Sequence, residues 1–167
     1  MAQFSHRNQI AHTSGDLPAK GDHAPECRLT KADLTDTTLA AYAGKRVVLN
    51  IFPSIDTGTC AKSVREFNKL ASSFPNTIVL CVSKDLPFAQ KRFCGAEGID
   101  QVECLSEYKD QSFSKAFHVD ITDGSSLIGL MARAVVILDE NSKVLYTELV
   151  SDISQEPNYH EVQKILA

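Results

Sequence analysis

The run Val47-Val48-Leu49-Asn50-Ile51-Phe52 leads through Pro53-Ser54-Ile55-Asp56-Thr57-Gly58-Thr59-Cys60 into Ala61-Lys62-Ser63-Val64-Arg65-Glu66-Phe67-Asn68-Lys69-Leu70. The first part is a short, almost uninterrupted apolar run rich in β-branched and aromatic residues, the pattern of a buried strand. In the last part Val64, Phe67 and Leu70 recur at helical spacing. The stretch therefore reads as strand, loop and helix, with one cysteine where the helix begins. A thiol in the first turn of a helix faces unsatisfied backbone N–H groups and the positive end of the helix dipole, which favour a thiolate. Most cysteines of soluble proteins are small buried hydrophobes. Cys60, in a polar loop punctuated by proline and glycine, is expected to be reactive rather than to fill the core.

The remaining elements extend the pattern in both directions. Thr77 to Ser83 reads as a second buried strand, and Pro87 to Cys94 as a helix with proline near its first position and Gly95 near its end. Val102 to Leu105 reads as a short strand and Ser112 to Phe117 as a short helix. Arg133 to Leu138 and Lys143 to Leu149 read as strands joined across Asp139-Glu140-Asn141-Ser142, and Asn158 to Leu166 as a closing helix. Before the strand at Val47, Cys27 to Thr30 and Thr37 to Leu39 suggest short strands. Gln3 to Thr13 suggests a hairpin or edge strand, and Gly124-Ser125-Ser126 a flexible loop. The order is that of an α/β, thioredoxin-like fold. Its central mixed sheet is flanked by helices and preceded by an N-terminal β extension over residues 1–25, all within one domain spanning residues 1–167.

With 167 residues, 43% hydrophobic and 23% charged, the chain is long enough to bury a core without disulfide staples. A net charge of -4, with basic residues scattered, gives no footprint for nucleic acid or anionic lipid. Met1 to Lys20 contains no apolar signal-peptide segment, and no window approaches the roughly 18 apolar residues of a membrane span. The expectation is a soluble protein, cytoplasmic in a bacterium. Five irregularly spaced cysteines do not form a secreted disulfide scaffold, and no Cys-x-x-Cys or metal-ligand spacing with the five histidines is present.

Pro53, Thr57 and Cys60 match the Pro-x-x-x-Thr-x-x-Cys signature of the peroxiredoxins. Phe52 to Gly58 resembles the bacterial thiol peroxidase branch, whose members are atypical two-cysteine peroxiredoxins. Asp85-Leu86-Pro87-Phe88-Ala89-Gln90-Lys91-Arg92-Phe93-Cys94 resembles the segment bearing that branch's resolving cysteine. Ala132-Arg133-Ala134-Val135-Val136-Ile137-Leu138-Asp139 resembles the strand bearing its active-site arginine. The three segments occur in the family's order, and the resemblance spans nearly the whole chain. One departure is Gly58-Thr59, where the branch usually has a proline and an apolar residue.

The resemblance implies a thioredoxin-dependent peroxidase that reduces hydrogen peroxide and alkyl or lipid hydroperoxides to water and alcohols. Cys60 would attack the peroxide and become a sulfenic acid; Cys94 would condense with it to an intrachain disulfide, which thioredoxin reduces. Thr57 would address the peroxide, Arg133 would support the thiolate and donate to peroxide oxygens, and Pro53 would shape and shield the loop. Read from the residues alone, Thr57 serves equally as a helix cap, Arg133 as a surface residue and Pro53 as a steric helix starter. The resemblance further implies a homodimer and no bound cofactor or metal. Apolar Phe52, Ile55 and Phe88 are compatible with organic hydroperoxides. Cys81 is expected to be buried and inert, and Cys27 and Cys104 to pack. Competing classes are a thiol–disulfide oxidoreductase, disfavoured by the missing Cys-x-x-Cys, a non-catalytic redox sensor, and a cysteine hydrolase, for which His118 offers no convincing base motif.

Overall fold

The computed structural model describes residues 1–167 and opens with a hairpin of β1 (Gln3–His6) and β2 (Gln9–Thr13). Arg7 and Asn8, both at positive φ, make its two-residue turn, as the right-handed twist of paired strands demands. Next come β3 (Arg28–Thr30), β4 (Asp36–Thr38) and a single 3-10 turn over Leu39–Tyr42. The centre of the chain is β5 (Arg46–Ile51), α1 (Gly58–Ala71), β6 (Thr77–Ser83), α2 (Pro87–Glu97) and β7 (Glu103–Ser106). It closes with α3 (Ser112–Ala116), β8 (Ile121–Asp123), β9 (Ala134–Leu138), β10 (Val144–Leu149) and α4 (Tyr159–Leu166).

Seven strands form one mixed sheet in the order β10-β9-β5-β6-β7-β3-β4. The β5–β6 and β6–β7 pairs are parallel, and β9 lies antiparallel on the other side of β5. Both faces of β5 are covered, which explains its nearly continuous apolar sequence. Val47, Leu49 and Ile51 pack with Phe113, Phe117 and Val136 on one face. On the opposite face Val48 and Phe52 pack with Val64 and Phe67 of α1, Phe93 of α2 and Val162 of α4. The site cysteine lies in this second layer, between the sheet and three helices. This is the α/β, thioredoxin-like architecture expected from the sequence, with the hairpin as its N-terminal extension.

Two expectations need correction. The α2 helix does not stop at Gly95; it runs to Glu97, and the left-handed residue that closes it is Gly98, at φ 65°. Gly124 to Ser126 does form a loop, but the strand before it was not expected: β8 pairs with β2 and makes the hairpin a three-stranded sheet. A Cβ on Gly124 would overlap the backbone of Ile10 and Ala11, and its φ is 73°. Only glycine lets the chain pass there.

Candidate active site

The loop after β5 descends through buried Phe52 and Pro53, turns at exposed Asp56 and Thr57, and enters α1. Asp85 holds this loop from the next crossover. Its carboxylate accepts from Ser54 Oγ at 2.8 Å, from the Ile55 N–H at 2.7 Å and from Ser83 Oγ at 2.6 Å. Thr57 occupies the N-cap position of α1, but its side chain does not cap the helix. Its hydroxyl donates instead to the Ser54 carbonyl at 3.0 Å, leaving its own lone pairs open to a donor. The capping alternative for Thr57 is thereby removed.

Cys60 is the third residue of α1 and is 0% exposed. The sequence placed it in a loop outside the core; the structure sets it inside the apolar layer with Phe52, Ile55, Val64 and Phe93. What distinguishes it from a packing cysteine is its partner. Arg133 Nη2 donates to Cys60 Sγ at 3.3 Å. Arg133 is itself 3% exposed, immediately before β9, so it is not the surface arginine that residue type alone would suggest. Its Nε donates to the Ile153 carbonyl at 2.9 Å, Nη1 has no partner, and no carboxylate lies within 4.0 Å. A buried guanidinium without a counter-charge is costly. The Cys60 sulfur, in the first turn of α1, is the side-chain atom set against that cation.

Several supports of this geometry carry no motif. Ile153, whose carbonyl orients Arg133, lies in a loop tied to the N-terminal hairpin. The Ser5 N–H donates to the Ser151 carbonyl at 2.7 Å, and the Ile153 N–H to the Ser5 carbonyl at 3.0 Å. Thr59, one half of the departure noted in the sequence, donates its hydroxyl to the Ser154 carbonyl at 3.0 Å, joining α1 to that loop. From below, Asn50 Nδ2 donates to Ser63 Oγ at 3.2 Å, and Ser63 Oγ to the Cys60 carbonyl at 2.7 Å. Asp85 falls within a quoted motif without being singled out. The Ile153 contact uses a backbone carbonyl, which no sequence pattern marks.

Cys94 lies in the last turns of α2, partly exposed. The structure does not join it to Cys60; all five cysteines are free. Arg65 of α1 reaches Glu97 of α2 at 2.9 Å, and Arg92 reaches Asp56 of the site loop at 3.0 Å, so α2 borders the site. Cys94 Sγ lies 3.5 Å from Cys104 Sγ. That thiol contact, followed by burial, pushes the Cys94 thiol far above its ordinary value. Cys27 lies apart, its thiol pushed up to about 12 by burial and then by the charges of Glu107 and Asp110. Phe52 and Ile55 are fully buried, so of the three apolar residues named for substrate only Phe88, beside exposed Leu86, reaches the surface.

The pattern of the redoxin family matches residues 19–163. The chain is 48% identical over 159 residues to a thiol peroxidase of Corynebacterium glutamicum, covering 95% of each chain. Among solved structures, a peroxiredoxin-like protein from Aquifex aeolicus superposes with a TM-score of 0.92 at 34% identity, covering 99% of this chain and 96% of the other. A thiol peroxidase from Chromobacterium violaceum has the same fold, with a TM-score of 0.90 at 22% identity over 98% of this chain and 94% of its own. No helix is long and apolar enough to cross a membrane. The unpaired guanidinium against a buried thiol thus belongs to a chain of the redoxin family, in its branch of thiol-dependent peroxidases.

Proposed function

We propose that Cys60 is the peroxide-reducing thiolate and Cys94 the thiol that resolves it. The observation that carries this reading is Arg133, a buried cation with no carboxylate within 4.0 Å that donates to the Cys60 sulfur. A hydroperoxide enters beside exposed Thr57, whose lone pairs accept the peroxide O–H. The unpartnered Nη1 of Arg133 supplies a donor for a peroxide oxygen. Cys60 Sγ attacks the nearer oxygen, the O–O bond breaks, and the departing alkoxide or hydroxide takes a proton to leave as alcohol or water. Donors fixed before the reaction meet the charge as it moves outward, where they act most strongly. Pro53, buried within the loop, shapes it and shields the site from water.

Cys60 is left as a sulfenic acid. Both cysteines sit in helices, so their condensation, which releases water, requires the end of α2 to unwind. Gly95, exposed in that turn with open space around it, makes the turn inexpensive to open. A dithiol protein of the thioredoxin class then reduces the disulfide. The substrates we assign are hydrogen peroxide and alkyl or lipid hydroperoxides. The whole chain acts as one domain, in a homodimer, in the cytoplasm and without a bound cofactor.

The test is intact-mass measurement and peptide mapping of reduced protein after one equivalent of cumene hydroperoxide. Loss of two hydrogens with a linked Cys60–Cys94 peptide is expected. An oxygen adduct resting on Cys60 alone would remove Cys94 as resolver, and an unmodified Cys60 would sink the peroxidase assignment of this residue.

A further inference from the structure

Cys104 is a nucleophile that the proposed cycle leaves unused, yet it lies beside the cycle's second sulfur. Parallel pairing of β6 with β7 places Cys104 next to Cys81, and α2 crosses β7 so that Cys94 Sγ comes within 3.5 Å of Cys104 Sγ. The contact is held in place. Gln90, one helical turn before Cys94, donates Nε2 to the Leu105 carbonyl at 2.9 Å and to Ser83 Oγ at 3.1 Å, fastening α2 to both strands. The contact between the two sulfurs is the one made by the folded helix; once Cys94 is bonded to Cys60, the end of α2 must first rewind toward β7, after which side-chain rotation closes the remaining gap to the roughly 2.05 Å of a disulfide. A cavity of about 380 Å³ opens onto the pair, lined by Cys94, Cys104, Gln90, Lys91, Gly95 and Ile99. Ordinary packing of a buried cysteine does not require a redox partner at contact distance or an opening to solvent.

We propose that Cys104 takes over the disulfide from the active site: its sulfur attacks Cys94 Sγ and displaces Cys60. This rests on Cys94 being the resolving thiol. The Cys104 S–H proton leaves to solvent through the cavity, the Cys94–Cys104 bond forms, the Cys60–Cys94 bond breaks, and Cys60 departs as a thiolate. No electron is gained or lost in this exchange; the oxidising equivalents came from the hydroperoxide. Summed over the cycle, one hydroperoxide and the Cys94 and Cys104 thiols give one alcohol, one water and the Cys94–Cys104 disulfide. Exchange favours the leaving sulfur whose thiolate is best stabilised, and Cys60 returns to Arg133 and the start of α1. In the reduced protein both thiols are raised, so the attack requires Cys104 to lose its proton at the cavity. The Cys104 thiol is raised by its contact with Cys81 and by burial, and Cys94 by Cys104 and burial, so Cys60 remains the sulfur that meets peroxide. The transfer stores one oxidation away from the site and readies Cys60 for a second hydroperoxide before any reductant arrives.

The experiment gives reduced protein two equivalents of cumene hydroperoxide without reductant, adds dimedone afterwards, and follows peroxide consumption and the peptide map. Consumption of two equivalents is expected, with a linked Cys94–Cys104 peptide and dimedone on Cys60. Cys104→Ser should stop after one equivalent with Cys60 linked to Cys94. If the unaltered protein also stops at one equivalent with only the Cys60–Cys94 link, the relay is overturned while the resolving role of Cys94 stands. If no peptide containing Cys94 is linked at all, the resolving role fails and the relay with it. Cys60→Ser treated with diamide provides a second check: a Cys94–Cys104 link is expected, and its absence would show that the two sulfurs cannot bond.

Discussion

Cys60 is sealed in the core, with its loop, its carbonyl and its guanidinium partner each fixed by named hydrogen bonds. Cys94 is partly exposed on a helix whose last turns contain Gly95 and end at Gly98, beyond the Gln90 anchor. The difference follows from the chemistry assigned to each. Attack on a peroxide gains from donors that are already in place, because reorganising them at the moment of reaction would cost rate. Resolution requires a sulfur that can travel, and a region that travels must be held by few strong contacts. The molecule places its rigid region at the centre of the sheet and its yielding region at a helix end.

The largest effect should come from Arg133→Met, which removes the donor and the counter-charge from the rigid region together. The kcat/KM for hydroperoxide should fall by about 10²–10³-fold. Thermal stability of the reduced protein should change little, because removing a buried cation that no carboxylate neutralises offsets the donor lost by the Ile153 carbonyl. Stopped-flow peroxide consumption and a melting curve check the two halves. A large drop in stability with unchanged chemistry would mean that Arg133 serves the fold rather than the sulfur.

The rigid region was more legible in the sequence than the yielding one. The strand before the site loop, read one residue too long at Phe52, the helix beginning near Thr59, and the strand read from Arg133, which starts one residue later, follow from apolar patterning and from three ordered motif segments. Patterning also gave β6, β9, β10 and α4 to within a residue or two, because each buries a periodic face. What stayed hidden depends on pairing between distant segments. β8, three residues long, exists because β2 pairs with it. Cys104 reads as a packing residue until the β6–β7 register and the crossing of α2 bring it to Cys94. The Ile153 carbonyl is invisible to any reading of side chains.

A smaller loss should follow from Asp85→Asn, which loosens the rigid region without touching its sulfur. The amide cannot accept from Ser54 Oγ, Ser83 Oγ and the Ile55 N–H as the carboxylate does. Stability should drop by about 1–3 kcal/mol as a largely buried donor loses its acceptor. The rate of sulfenic acid formation should drop by roughly 10–100-fold, as expected when a reacting group is displaced slightly. Disulfide formation from a preformed sulfenic acid should change less, since the loop is not what moves. Equal losses in both steps would show that loop and helix open together.

Stiffening the yielding region gives the converse. Gly95→Ala adds a methyl group in open space on an exposed helical position, stabilising that turn by about 1 kcal/mol. If the turn must unwind for resolution, disulfide formation should slow about fivefold, the factor equivalent to that energy. Sulfenic acid formation at Cys60 should keep its rate. Rapid-quench mass spectrometry separates the two steps, and an unchanged disulfide rate would mean that Cys94 reaches Cys60 without opening this turn.

The smallest effect is expected from salt, and it acts on the contacts that bridge the two regions. The Arg65–Glu97 and Arg92–Asp56 pairs attach α2 to α1 and to the site loop, and all four side chains are exposed. Ions screen such pairs strongly, whereas the contact between buried Arg133 and Cys60 lies out of their reach. Raising ionic strength should therefore speed disulfide formation, by roughly twofold at most, and leave the attack on peroxide unchanged. Arg92→Ala should give the same acceleration at low salt and abolish part of the response. Slower peroxide attack at high salt would mean instead that ions reach the Arg133–Cys60 contact, and the division between a sealed sulfur and a travelling one would have to be redrawn.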